Sequence, residues 1–158
     1  MHLSIPAGTT SKIVAFPVFD SSSTTGRMLT GLVYNSASLT AYYNRTGASG
    51  TATNMALTTM TKGAWEPLGF VAVDEVNMPG WYELGVPDAA FASGCQQLQI
   101  MLKGATNMVP VCIEIELTVF SNQVAAKGGG TMFTATLPGV TGTVTVVAIN
   151  IYNGDTTM

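Results

Sequence analysis

The chain has 158 residues, of which 47% are hydrophobic and only 9% charged, and its net charge is −3. That length suffices for one domain with a core of its own. No basic run is present to release counterions from phosphate, and no apolar run reaches the roughly 18 residues of a membrane-spanning helix, so nucleic acid and membrane are both disfavoured as partners.

The N-terminal segment Met1-His2-Leu3-Ser4-Ile5-Pro6 lacks a positive region and a continuous apolar stretch. It is read as no secretory signal, which implies synthesis in a cytoplasm with both thiols reduced. Residues 1–11 are expected to form an arm, residues 12–120 a β-sandwich domain, and residues 121–158 a linker with a C-terminal β-hairpin arm.

Strand signals dominate the middle, where Val, Thr, Tyr and Phe recur in short runs broken by Gly, Pro, Asn and Ser. Lys12 to Phe19 is the first, with Pro17 marking an edge strand or a bulge. A loop from Asp20 to Thr25 and a possible strand from Arg27 to Val33 follow. Further strand segments are read at Leu39–Tyr43, Gly50–Met60, Leu68–Val73 and Trp81–Val86. Pro87 to Ser93 reads as a helical turn, with Pro at its start and Gly94 beyond its end.

Cys95–Lys103 and Val109–Val119 alternate strictly and are read as a hairpin closed through Gly104 to Met108. The expected register pairs Leu98 with Ile113, Ile100 with Val111, and Leu102 with Val109. It sets Cys112 opposite Gln99, roughly 13 Å along the strands from Cys95 at about 3.4 Å per residue, too far for a disulfide. Ser121 to Gly130 has the composition of a flexible linker. Two more alternating runs, Met132–Leu137 and Thr143–Ile151, suggest a hairpin that must pack on something. Contact of both arms with neighbouring subunits is expected, and a hairpin folded back on its own sandwich is the competing reading.

Chemistry-bearing constellations are sparse. His2 is the single histidine, which disfavours a His-based triad. His2, Cys95 and Cys112 lack zinc-ligand spacing. Glu114 and Glu116 share one strand face and suit glycoside hydrolysis, the binding of a cation or, more plainly, a solvated surface. Asp74-Glu75 and Asp155 are read as acids in turns. Asn44-Arg45-Thr46 matches a glycosylation sequon by chance, and Gly128-Gly129-Gly130 is followed by no phosphate-loop residues. Tyr42, Tyr43, Trp65, Trp81 and Tyr82 are read as core or interface, with sugar stacking as the sharper alternative. Nine methionines fit adaptable contact surfaces. No catalytic, cofactor-binding or metal-binding residue is assigned, and no enzyme activity is expected. Charge this low protects a lone monomer poorly against association, so the surface is expected to be covered by other subunits or kept soluble by neutral Ser, Thr and Asn.

The segment Asn77-Met78-Pro79-Gly80-Trp81-Tyr82-Glu83-Leu84 reads as a type II turn at Pro79-Gly80 leading into a strand. With LTAYYNR, GFVAVDEVNMPGWYELGVPDAAFASG and QIMLKGATNMVPVCIEIEL around it, it resembles an immunoglobulin-like module of tailed-bacteriophage structural proteins. The resemblance covers about residues 12–120. It implies an all-β, immunoglobulin-like antiparallel sandwich on the outer surface of a phage virion, made in the host cytoplasm. The implied role is a capsid-decorating (cement) protein; a tail, baseplate or fibre adaptor or receptor-binding module is the alternative. The implied partners are further copies of itself, as a homotrimer, and the major capsid protein or other virion proteins. No cofactor is implied.

Overall fold

The computed structural model describes residues 1–47, 50–118, 133–135 and 144–146. The chain divides into two compact units, Met1–Asn122 and Gln123–Met158. In the second, Phe133–Ala135 pairs antiparallel with Val144–Val146. These strands lie inside the two alternating runs read from the sequence; the remainder of those runs, and their expected contacts, lie outside the described residues.

The first unit is an all-β sandwich of two packed sheets. Its strands are β1 (His2–Pro6), β2 (Lys12–Pro17), β3 (Thr40–Arg45), β4 (Thr53–Met55), β5 (Thr58–Thr59), β6 (Gly69–Asp74), β7 (Met78–Val86), β8 (Gln97–Lys103) and β9 (Val111–Thr118), with a 3-10 turn at Asp88–Phe91. One sheet runs β1-β9-β8-β3-β4 and the other β2-β7-β6-β5. Two-residue alternation makes the core: Val14 and Phe16, Tyr82, Leu84 and Val86, Leu98, Ile100 and Leu102, and Ile113, Ile115 and Leu117 all face inward and are buried. Phe70 stacks on Tyr82 at 5.0 Å between ring centroids. Pro17 ends β2, an edge strand, where its missing N–H removes no interior ladder bond.

Several expectations need correction. Residues 1–11 are not an arm: β1 pairs in parallel with β9, from His2 opposite Glu114 to Pro6 opposite Thr118, and Ile5 is buried in the core. Arg27–Val33 is no strand. It is held as a loop, with Leu29 N–H donating to the Val18 carbonyl and Gly31 at φ 76°. The β8–β9 hairpin forms, but its register is two residues from the expected one: Leu98 faces Ile115, Ile100 faces Ile113 and Leu102 faces Val111. A shift of two preserves the buried face, so alternation alone does not distinguish the registers. Tertiary pairing decides: Met108 bridges to Asp20 and Val109 N–H donates to the Phe19 carbonyl, which takes both residues out of the hairpin. Pro79-Gly80 lies inside β7, and the β6–β7 turn is at Asp74–Asn77 instead. Gly80 does take a positive φ, 78°, but the reason is close approach: a Cβ there would run into the Met28 side chain.

Candidate interaction surfaces

The two sheets differ in their outer faces: the five-stranded sheet carries polar rows beside an apolar one of Tyr42, Met101 and Cys112, whereas the four-stranded sheet's is mainly apolar. On the five-stranded sheet, pairing lines up His2, Glu114, Gln99 and Asn44 in one row, and Ser4, Glu116 and Gln97 in the next. Asn44 Nδ2 donates to Gln99 Oε1 at 3.2 Å. Glu114 and Glu116 are exposed on this face, as their alternation implied. A depression of about 380 Å³ lies beside them, with Tyr42, Gln99, Met101, Cys112 and Glu114 in its lining but not Glu116. The paired-carboxylate arrangement is therefore not gathered around one cleft.

The outer face of the four-stranded sheet is apolar. Ile13, Ala15, Pro17, Val71, Val73 and Trp81 alternate with the core residues of β2, β6 and β7, and all are half-buried. Glu83 sits among them, its carboxylate accepting the Gly63 N–H at 2.8 Å. An open sheet face is ordinarily polar, because alternation otherwise leaves apolar groups in water. Trp81 faces Pro17, whereas Trp65 donates from Nε1 to the Val86 carbonyl at 3.2 Å. Positions 81 and 86 are five residues apart on β7, roughly 17 Å at about 3.4 Å per residue. The two tryptophans do not build one aromatic platform.

A third surface is the end of the sandwich where the β2–β3, β6–β7 and β8–β9 loops meet. Asp20 organises it. Its carboxylate accepts from the Ser22 N–H at 2.8 Å and the Ser22 hydroxyl at 2.6 Å, and pairs with Arg27 at 2.7 Å. Led by the Ser22 hydroxyl bond, these interactions hold the Asp20 carboxyl at about 2, below the ordinary 3.8. Asp74 is held at about 2 in the same way, first by the Asn77 side chain and then by the backbone N–H groups of Asn77 and Val76. Ser21 N–H donates to the Asn107 carbonyl, joining the first loop to the third. Gly31 N–H donates to Glu75, joining it to the second. Beneath them the Tyr82 hydroxyl donates to the Leu29 carbonyl at 2.9 Å and accepts the Leu32 N–H at 3.2 Å. Burial pushes this phenol above its ordinary value, so it stays protonated and able to donate.

Sequence reasoning missed Asp20 and Tyr82 as organisers. The signal for Asp20 was its position ahead of three serines, the composition of a side-chain-capped turn. Nothing local marks Tyr82, since its partners lie about 50 residues away. The residues weighed as zinc ligands are not brought together. His2 and Cys112 share the polar face, while Cys95 sits at the other end, where Arg45 Nε donates to its sulfur at 3.3 Å. No group of three metal-ligating side chains exists among the described residues, and no described helix is long and apolar enough to cross a membrane. Both cysteines are free; Cys112 lies opposite Met101, six residues from Cys95. Compared with protein-family models, with curated proteins and with solved structures, the chain matches none.

Proposed function

We propose that the chain is a structural protein of a tailed-phage virion, a capsid-decorating (cement) protein that assembles in several copies on the outside of the head. The observation that carries this reading is the apolar outer face of the four-stranded sheet, built from Ile13, Ala15, Pro17, Val71, Val73 and Trp81. A face of that composition is matched to burial against other protein. With 9% charged residues in the whole chain, little on the rest of the surface opposes association.

The finer architecture is proposed to be immunoglobulin-like. In that fold strands B, E and D share one sheet and C, F and G the other. Here β2, β7 and β6 take the first set of places and β3, β8 and β9 the second. The similarity of residues 77–84 to phage modules supports the same reading. Copies pack through the apolar face into a homo-oligomer, for which the resemblance implies three chains. Cryo-electron microscopy of the parent particle tests the proposal. Density for this sandwich over the capsid exterior is expected; density on the tail alone would favour the adaptor reading, and absence from the particle would sink both.

A further inference from the structure

β1 is the edge strand of its sheet, and its one ladder is the parallel pairing with β9. It sends one side chain fully into the core, Ile5, while Leu3 packs against the core from the margin. After Pro6 the chain leaves this sheet, and residues 7–11 carry it to β2, at the edge of the other.

Two residues of that connection are left-handed. Gly8, at φ 79°, lies in a turn where the Thr9 N–H and hydroxyl both donate to the Pro6 carbonyl, at 3.2 and 2.6 Å. Ser11 has φ 54°. Unlike glycine, serine carries a Cβ that makes this backbone unfavourable. The bond that holds it, from the Ser11 N–H to the Asp88 carboxylate at 2.7 Å, is exposed, so water replaces it at little cost. The strain therefore sits where β1 and its turn join the rest of the domain.

Extending Ser11 relieves that strain, leaves the turn intact and swings β1 away from its own sheet. A second copy offers everything β1 then needs. It has the edge of β9, the seat of Ile5, the Thr118 carbonyl that accepts from the Ala7 N–H, and the Phe91 carbonyl that accepts from the Gly8 N–H. The exchanged strand makes in its neighbour the bonds it makes at home, which is why such exchange is a low-cost route to oligomers. Position favours it as well. Ile13, two residues beyond the hinge, begins the apolar outer face of the four-stranded sheet, across which copies are proposed to meet. A neighbour seated there lies beside a connection that spans up to roughly 17 Å when extended.

We propose that β1 is exchanged in the assembled oligomer, so that each sandwich is completed by the His2–Pro6 strand of another copy, whose Ile5 fills its core. The proposal rests on the reading that copies associate through the apolar face, and adds to it which segment locks them together.

The test uses two differently tagged full-length chains expressed together, one carrying Ser4→Cys and the other Glu116→Cys. These positions pair between β1 and β9, and both are exposed. Adjacent strands lie about 4.8 Å apart, within disulfide range. Mild oxidation is expected to bridge the introduced thiols between the two tagged chains, as read by mass spectrometry of peptides. Ser4→Cys expressed with Gln99→Cys, on a strand two places from β1, is expected to give no bridge. With Ser4→Cys and Glu116→Cys in one chain, the ratio of interchain to intrachain bridges reads the hinge. Ser11→Val, β-branched and so poorer in left-handed backbone, is expected to raise the ratio about fivefold, and Ser11→Gly to lower it about fivefold. Circular dichroism melts accompany each variant, and His2→Cys with Glu114→Cys, the neighbouring exposed pair, replaces the first pair if that is unfolded. Wild-type chain that sediments as a folded monomer overturns the assembly reading and the exchange with it. An oligomer whose bridges form only within chains overturns the exchange alone. Equal bridging to Gln99→Cys, or a ratio indifferent to Ser11, also overturns it.

Discussion

Asp20 and Tyr82 each hold a loop that the strand ladders do not reach. Tyr82→Phe keeps the ring stacked on Phe70 but leaves the Leu32 N–H without its acceptor. The expected cost is about 1–3 kcal/mol, the penalty for an unpaired buried donor, read from urea or thermal unfolding. Acid adds a second readout. Asp20 and Asp74 are held at about 2 in the fold against 3.8 ordinarily, so between those pH values the unfolded chain binds more protons than the folded one. Their contribution is full above about pH 4, falls as the pH drops through that window, and is gone below about 2. Asp20→Asn is expected to flatten the decline of melting temperature over this range. An unaltered slope would show that the Ser22 and Arg27 interactions do not survive in solution.

Among the elements, β8 and β9 show both what the sequence makes legible and where it stops. Alternation identified the two strands and every inward residue, because burying Leu98, Ile100, Ile113 and Ile115 admits only one face. The register depended on how many residues the turn consumes. That number is set by Phe19 and Asp20, which bond to Met108 and Val109 from another part of the chain. β1 was missed for a related reason. Leu3 and Ile5 do alternate, but the partner of this short segment lies at residues 114–118, out of reach of any local signal. The face of Glu114 and Glu116 was likewise readable, whereas the loop cluster was not, since it is assembled from segments remote in sequence. Introducing a thiol tests the observed register. Met101 and Cys112 form a non-hydrogen-bonded cross-strand pair, with Cα atoms expected about 4.5 Å apart, within disulfide range. Met101→Cys is expected to crosslink to Cys112 on mild oxidation and Gln99→Cys is not. The reverse result, seen by mass spectrometry of peptides, would restore the register expected from alternation alone. Packing against β7 gives a further test. A Cβ at Gly85 would collide with the Glu66 carbonyl, which sits directly on the strand. Gly85→Ala is expected to displace the segment around Glu66 and lower the melting temperature, whereas Gly94→Ala, with open space around its Cα, is expected to cost only its positive φ.

At the scale of the whole molecule, the outer face of the four-stranded sheet predicts self-association. The purified chain is expected to sediment as an oligomer at micromolar concentration. Ile13→Glu with Trp81→Glu, both on that face, is expected to give a folded monomer. A wild-type chain that sediments as a stable folded monomer would count against the assembly reading. One consequence of the topology concerns how the sandwich is made rather than how it is held. The ladder between β1 and β9 joins His2 to Glu114, so the strand synthesised first closes the sheet only after nearly the whole domain has emerged. Closing so long a loop is entropically slow, and contacts this distant in sequence slow folding. Until it closes, β9 is an open edge that the His2–Pro6 strand of another molecule fits as well as its own. Wherever several copies fold close together, this open edge therefore offers the sandwich a route to exchange first strands between neighbours.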